Sequence, residues 1–190
     1  NERNSWRTTL VTNPATVLVG KIGSLFWLRI EGKGCFQNSV NVKKAVRSMI
    51  KNGVRNFVID LERCPNMDST FLGTLTGSAL DLKQSGGGRL TVLNANARNL
   101  QLLSSLGLDH ILEVDNNGTA WTEERRRAAE QLAQCEAAMN LCKTEQAEHV
   151  LAAHRALTEA NSDNECRFRD VIDFLEREVQ QQAAPVAANS

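Results

Sequence analysis

Aromatic residues are scarce in this chain: nine in 190, six Phe and three Trp, with no Tyr at all. Lys and Arg are scattered rather than clustered, so the stacking platforms set among cations that a nucleic-acid face requires are not indicated. No apolar run approaches the length of a membrane span, which excludes direct membrane insertion by a helix of that kind. Five cysteines, Cys35, Cys64, Cys135, Cys142 and Cys166, are odd in number and lack paired short spacings. That pattern argues for reduced thiols in a cytoplasmic protein rather than for a disulfide framework. The opening "NERNSWRTTL" has neither an initiator Met nor the apolar centre of a signal peptide, so the expectation is a chain trimmed at its start.

Net charge is also lacking, with 22 Lys+Arg against 22 Asp+Glu. The balance hides an asymmetry. Residues 1–115 carry 14 basic and 9 acidic side chains, +5, and residues 116–190 carry 8 and 13, −5. Two regions of opposite sign can attract each other within a chain or between copies. Hydrophobic content of 42% with 23% charged residues is that of an ordinary globular protein.

The pattern then resolves into alternating elements. "TVLVGKIGSLFWLRIE", residues 16–31, holds two apolar runs broken at Gly20–Ser24 and predicts a hairpin. Val42, Ala45, Val46, Met49 and Ile50 share one helical face, with Asn38 or Ser39 as the expected cap and Gly53 at the end. Arg55–Asp60 is a β-branched and aromatic run, hence a central strand. A second helix carries Leu72, Leu75, Ala79 and Leu82, and "SGGG" at 85–88 separates it from a strand at Arg89–Leu93. A third helix over 97–106 stops at Gly107, and Ile111–Val114 reads as a last short strand. Strands alternating with helices predict an α/β layer.

After "DNNGT" at 115–119 the composition shifts to Ala, Glu, Gln and Arg, without Pro or Gly, which predicts helix over 120–180. Ala128, Leu132, Cys135, Met139 and Cys142 form a narrow apolar seam. "NSDN" at 161–164 reads as a break and a cap. Phe168, Val171, Ile172, Leu175 and Val179 line one face of a final helix. The resulting division is an arm at 1–15, a domain at 16–115, a helical extension at 116–180 and a disordered tail at 181–190.

The stretch "CPNMDSTFLGTL", residues 64–75, places an acid and two hydroxyls where a strand gives way to a helix. Asp68, Ser69 and Thr70 are suited to capping, since their oxygens accept from the orphan N–H groups of a first turn. A hydroxyl there is expected to face solvent, and the helix dipole tolerates a phosphate. Catalysis by Ser69 would require a His to approach it, and the G-x-S-x-G elbow is missing. Cys135, Cys142, His149 and His154 are ligand types, but residues seven apart on one helix lie about 10 Å from each other, so helix packing is expected and no metal. "GKG" at 32–34 and "SGGG" lack nucleotide-loop spacing and read as turns. "EERRR" at 123–127 reads as a solvated first turn. Phe26, Trp27 and Phe36 read as core or hairpin packing, with exposure beside a partner face as the alternative for Phe36.

The run "VIDLERCPNMDSTFLGTLTGSALDLKQSGGGRLTVLNANARNLQLLSSLGLDHILEV" resembles the STAS domain of bacterial anti-sigma factor antagonists. The resemblance rests on Asp60-Leu61 closing a strand, the "MDST" turn, Leu72-Gly73, the Gly-rich turn and the closing "LLSSLGLDHILEV", and it spans roughly residues 16–115. It implies a small curved mixed sheet flanked by helices, here followed by an α-helical extension, with no enzymatic activity and no cofactor. It also implies that the hydroxyl after the Asp, Ser69, is phosphorylated by a serine kinase that is itself an anti-sigma factor. Thr70 is the fallback acceptor, and a PP2C-type phosphatase reverses the step. Asp68, Thr70, Phe71, Gly73 and Phe36 would then shape the partner surface.

Two departures from the family pattern stand out. Phe71 replaces the usual Gly after the two hydroxyls, where it would either obstruct a kinase or anchor a different partner. "EGKGCFQN" replaces a Gly-Glu-Leu-Asp-like turn. The expected function is a phosphorylation-switched regulatory protein of the anti-sigma factor antagonist kind. The alternative is a STAS scaffold subunit of a transport or signalling complex, without phosphorylation. A homodimer through the helical extension is a further expectation.

Overall fold

A computed structural model describes residues 16–134 and 141–183 of the chain. The apolar runs at the start form strands β1 (Thr16–Ile22) and β2 (Leu25–Glu31), paired antiparallel. Ile22 pairs with Leu25, so the hairpin turn is the two residues Gly23 and Ser24. Gly23 takes φ +63, a left-handed conformation that residues with a Cβ resist.

Helix α1 (Phe36–Lys51) begins earlier than its polar residues suggest. Its N-cap is Cys35; Asn38 works from inside the first turn, accepting the Cys35 N–H at 2.8 Å. Ser39 turns its hydroxyl back to the Phe36 carbonyl at 2.7 Å. Caps built from within a turn displace the start that a cap-first reading predicts.

Then follow β3 (Asn56–Asp60), α2 (Ser69–Gln84), β4 (Arg89–Leu93) and α3 (Ala97–Ser105). A 3-10 turn, Leu108–His110, precedes β5 (Glu113–Asp115). The last strand starts later than expected because the Leu108 carbonyl accepts from the N–H groups of both Ile111 and Leu112, holding them in the turn.

With a short strand β6 (Ala133–Gln134), the strand order is β5-β4-β3-β2-β1-β6, with β2 to β5 parallel and both β1 pairings antiparallel. Successive residues point to opposite faces of a sheet. Phe26, Leu28, Phe57, Ile59, Leu90 and Val92 therefore meet α1, α2 and α3 in the main core. Leu25, Trp27, Val58 and Leu93 form a second cluster on the other face. Its cover is α4 (Thr122–Gln131), through Ala128, with Trp121 and Leu132 packed alongside.

The expected continuous seam from Ala128 to Cys142 is broken. Leu132 is extended, and Ala133–Gln134 form β6 on Val19 and Leu18 of β1. An exposed strand edge has unpaired backbone groups, and this pairing covers part of it. Gly20 permits the approach: a Cβ there would lie 3.0 Å from Leu132 Cδ2. Cys135 and Met139 lie outside the described residues, and Cys142 is the exposed N-cap of α5 (Lys143–Ala160).

"EERRR" is not wholly solvated either. Arg125 forms a 2.6 Å ion pair with Asp115 and donates to the Asn94 side chain and the Ala120 carbonyl. Helix α6 (Asp163–Ala183) extends past the expected start of the tail, and residues 184–190 lie outside the described residues, as does the arm at 1–15. Val171, Ile172, Leu175 and Val179 pack on Ala147, Val150 and Leu151 of α5, as the helical spacing predicts. Asn164, buried between the two helices, donates to the carbonyls of Leu157 and Leu106 and so fastens the helical hairpin to the end of α3.

Candidate functional site

The turn from β3 to α2 is built as a cap. Asp68 is extended and its carboxylate accepts the Phe71 N–H at 2.9 Å, satisfying one orphan donor of the helix. Ser69 is the first helical residue. Upstream, residues 32–34 run beside residues 63–68: Gly32 donates to Arg63, Gly34 donates to Asn66, and Asp68 donates to Gly34.

Phe71 is fully buried, against the expectation of a surface anchor. A Cβ on Gly34 would lie 2.8 Å from its ring and 2.9 Å from Met67. The two departures from the family pattern thus meet in space: the ring lies on the glycine of the "EGKG" turn. Neither kinase obstruction nor surface contact falls to Phe71 in this state, because the core has taken it.

The extension brings the larger correction. Helix α5 lies directly over α2, and Ser69 is half-buried rather than open to solvent. Its Oγ stands 3.1 Å from His154 Nε2, and His154 Nδ1 stands 2.8 Å from the Val150 carbonyl. A carbonyl can only accept, so Nδ1 carries a proton, and in the neutral ring Nε2 accepts from the Ser69 hydroxyl. The Phe168 ring packs edge-on against the imidazole, with centroids 5.2 Å apart.

One and a half turns earlier, His149 Nε2 sits 2.8 Å from Ser39 Oγ and 3.5 Å from Thr74 Oγ1. Burial, reinforced by the positive charges of Lys43 and Arg47, pushes the His149 imidazole down to about 4. It is therefore neutral at pH 7 and suited to these hydroxyl contacts.

The remaining residues of the expected partner surface lie under or beside α5. Gly73 is buried at the crossing, where a Cβ would collide with the Ala153 carbonyl. Gly77 faces Ala156, and Thr70 is 8% exposed. Asp68 is half-buried, and Phe36 is half-buried with its ring edge-on to His149 at 5.6 Å. Three further α2 hydroxyls are satisfied by their own helix: Thr74 donates to Thr70, Thr76 to Leu72, and Ser78 to Thr74.

A His does approach Ser69, which the catalytic reading required, but the pair is enclosed between helices. The cavity of about 270 Å³ between α1, α2 and α5 is lined by Lys43, Thr74, Gly77, Asp81 and Arg155 among others, not by Ser69 or His154. Of the ligand-type residues, His149 and His154 contact hydroxyls and Cys142 is the N-cap of α5. Among the described residues no group of three His, Cys, Asp or Glu is placed to hold a metal ion. Among them, too, no helix is long and apolar enough to cross a membrane.

Sequence reasoning missed a buried polar hub on the opposite face. Asp60 is fully buried and accepts from Arg29 at 2.8 Å, Asn94 at 2.8 Å, Trp27 Nε1 at 3.3 Å and the Glu62 N–H at 3.1 Å. Arg29 and Asp60 are direct neighbours in the β2–β3 register, so the pairing follows once the strands are aligned.

These features define a small mixed α/β domain with a helical extension laid on one of its own helices. More particularly, the chain belongs to the STAS domain family, whose sequence pattern matches residues 16–120. A crystal structure of a Thermotoga maritima protein provisionally assigned as an anti-sigma factor antagonist is similar, with TM-score 0.50 and 23% identity over 57% of this chain and 93% of that one. The solution structure of that same protein, TM1081, gives 0.50 and 22%, over 57% and 87%. The anti-sigma factor antagonist SpoIIAA in its unphosphorylated form gives 0.47 and 18%, over 58% and 97%. At these identities the likeness is one of fold. No curated protein sequence matches the chain.

Proposed function

We propose that this chain is a regulatory STAS protein of the anti-sigma factor antagonist kind, working by binding protein partners rather than by catalysis. Its phosphoacceptor is Ser69, with Thr70 as the fallback. The partners are a serine kinase that doubles as an anti-sigma factor and a PP2C-type phosphatase. The observation that carries the reading is the position of Ser69: it opens α2 directly after the Asp68 N-cap, on a turn held by residues 32–34. A phosphate there adds about −1.5 to −2 charges. Burying it against an acidic or apolar partner patch costs on the order of 3 kcal/mol, roughly a hundredfold in affinity.

The test incubates the full chain with ATP and a lysate of its source cells, then follows a phosphate mass shift on the Ser69 peptide. A pull-down comparing Ser69→Ala with Ser69→Glu completes it. A shift at Ser69, with partners retained differently by the two variants, is the expected result. No shift, with the same partners held by both, leaves the scaffold reading. One observation favours that second reading: α5 covers α2 and closes on Ser69.

A further inference from the structure

We infer that α5 is a built-in competitor for the chain's own partner face, so that binding through α2 requires the helix to lift. The inference rests on the reading of Ser69 and α2 as the regulated surface and names its regulation. At Gly73, backbone meets backbone, because the missing side chain admits the Ala153 carbonyl. Four residues on, Gly77 repeats the gap under Ala156. The complement to this surface is a helix with small residues three apart and polar side chains flanking them. In α5 these are Ala153 and Ala156, with His149 and His154.

The face beneath is suited to exposure as well as to cover. Thr74 and Ser78 hydrogen-bond back to α2 carbonyls and keep those bonds without α5. Ser69 and Ser39 exchange an imidazole for water when the helix leaves. What holds the lid is Leu157, fully buried in the main core, together with the Asn164 anchor to Leu106 and Leu157. The closed state therefore predominates, and apparent affinity for any competing helix is lowered by the fraction of chains that are open.

Ser69 couples to the lid directly. Its hydroxyl is the donor that His154 Nε2 accepts, 3.1 Å away. Phosphorylation transfers the γ-phosphoryl group of ATP to Ser69 Oγ, breaking its bond to the ADP oxygen and releasing ADP and the hydroxyl proton to solvent. The added group needs room where Ser69 Oγ stands 3.1 Å from His154 Nε2 and the Phe168 ring packs on that imidazole, which is space the closed helix occupies. Modification and a lifted α5 favour one another, by linkage in both directions. The covalent mark thus uncovers α2 at the same time as it adds charge to its first turn.

The experiment uses the full chain and a fluorescent peptide of residues 143–160 as the probe. Wild type, Ala153→Trp and a chain carrying phosphoserine at 69 are compared by amide hydrogen exchange and by peptide anisotropy. Wild type should protect α5 and leave the peptide free. Ala153→Trp should exchange its α5 amides at least ~tenfold faster while β3 and β4 stay protected, and should bind the peptide. Should Ala153→Trp disturb the sheet, His149→Ala/His154→Ala takes its place, removing the three hydroxyl contacts from the α5 side. An opened chain with an intact sheet that ignores the peptide overturns the inference, as does α5 protection unchanged in both variants. If Ala153→Trp opens and phosphoserine does not, the competitor stands and the phospho-control reading beneath it fails.

Discussion

Phe71 shows what one residue can carry. Its ring is fully buried beside Gly34 and Met67, so Phe71→Ala should lower stability by about 3–5 kcal/mol, the range for deleting a core phenylalanine. Urea unfolding of the two chains measures it, and a loss under ~1 kcal/mol would mean that the ring lies outside the core. Asp60 sets a polar counterpart. Removing its carboxylate in Asp60→Ala leaves the Arg29 guanidinium, 14% exposed, without its 2.8 Å partner, and should cost about 3 kcal/mol. The cycle with Arg29→Leu and the double variant should show strong coupling, because the second change removes the stranded charge. Additive losses would show that the two side chains act independently.

At the scale of elements, the α2–α5 crossing is governed by small residues and two histidines. Gly73→Ala places a Cβ against the Ala153 carbonyl and should cost about 1–3 kcal/mol by overpacking, with faster exchange of the α5 amides. Unchanged α5 protection would show that the helices do not touch there. His149 gives the crossing a pH dependence with a definite sign. Its folded pKa, about 4, lies below the ordinary 6.5, so the unfolded chain binds more protons between those values. The stability it contributes is complete above about 6.5 and is lost as pH falls towards 4. At pH 5 the loss should be about 2 kcal/mol, read as a lower urea midpoint than at pH 7.5. His149→Gln should flatten that slope, and a slope it leaves unchanged would assign the effect elsewhere.

These elements also mark what sequence periodicity can and cannot reveal. The hairpin, the faces of α1 and α2, the Asp68 cap and the apolar stripe of α6 were legible because each is set by residues a few positions apart. The start of α1 was not, because Asn38 and Ser39 cap from within the turn. The seam through Leu132 was misread because a helix-compatible composition says nothing of the open edge of β1, which recruits Ala133 and Gln134. Position along the chain located Ser69 at the start of a helix, but not under one. The Ser69–His154 contact spans 85 residues, and its sequence trace is indirect: Gly73 and Gly77 on one helix, Ala153 and Ala156 on another.

For the whole molecule, the question is whether the opposite charges of its two regions hold α5 in place. Residues 1–115 balance to +5 and residues 116–190 to −5, which suggests attraction. The crossing itself is made mainly of short-range contacts, Ser39 with His149, Ser69 with His154, Gly73 against the Ala153 backbone and Leu157 in the core, beside one exposed attraction of Glu145 to Lys44. Arg155 spends its charge on Glu176 within the helical hairpin, and Arg47 on Asp81 within the domain. Salt screens exposed charges beyond a Debye length, about 10 Å at 0.1 M and 3 Å at 1 M, and hardly touches packed hydroxyl and backbone contacts. Native-state hydrogen exchange should therefore show two tiers. The β3 and β4 amides should open only with global unfolding, and those of α5 at lower free energy through sub-global opening. Raising salt from 0.1 M to 1 M should leave the α5 tier within about twofold of its rate. Acceleration of tenfold or more would mean that long-range attraction, rather than the fit at Gly73, holds α5 over the candidate site.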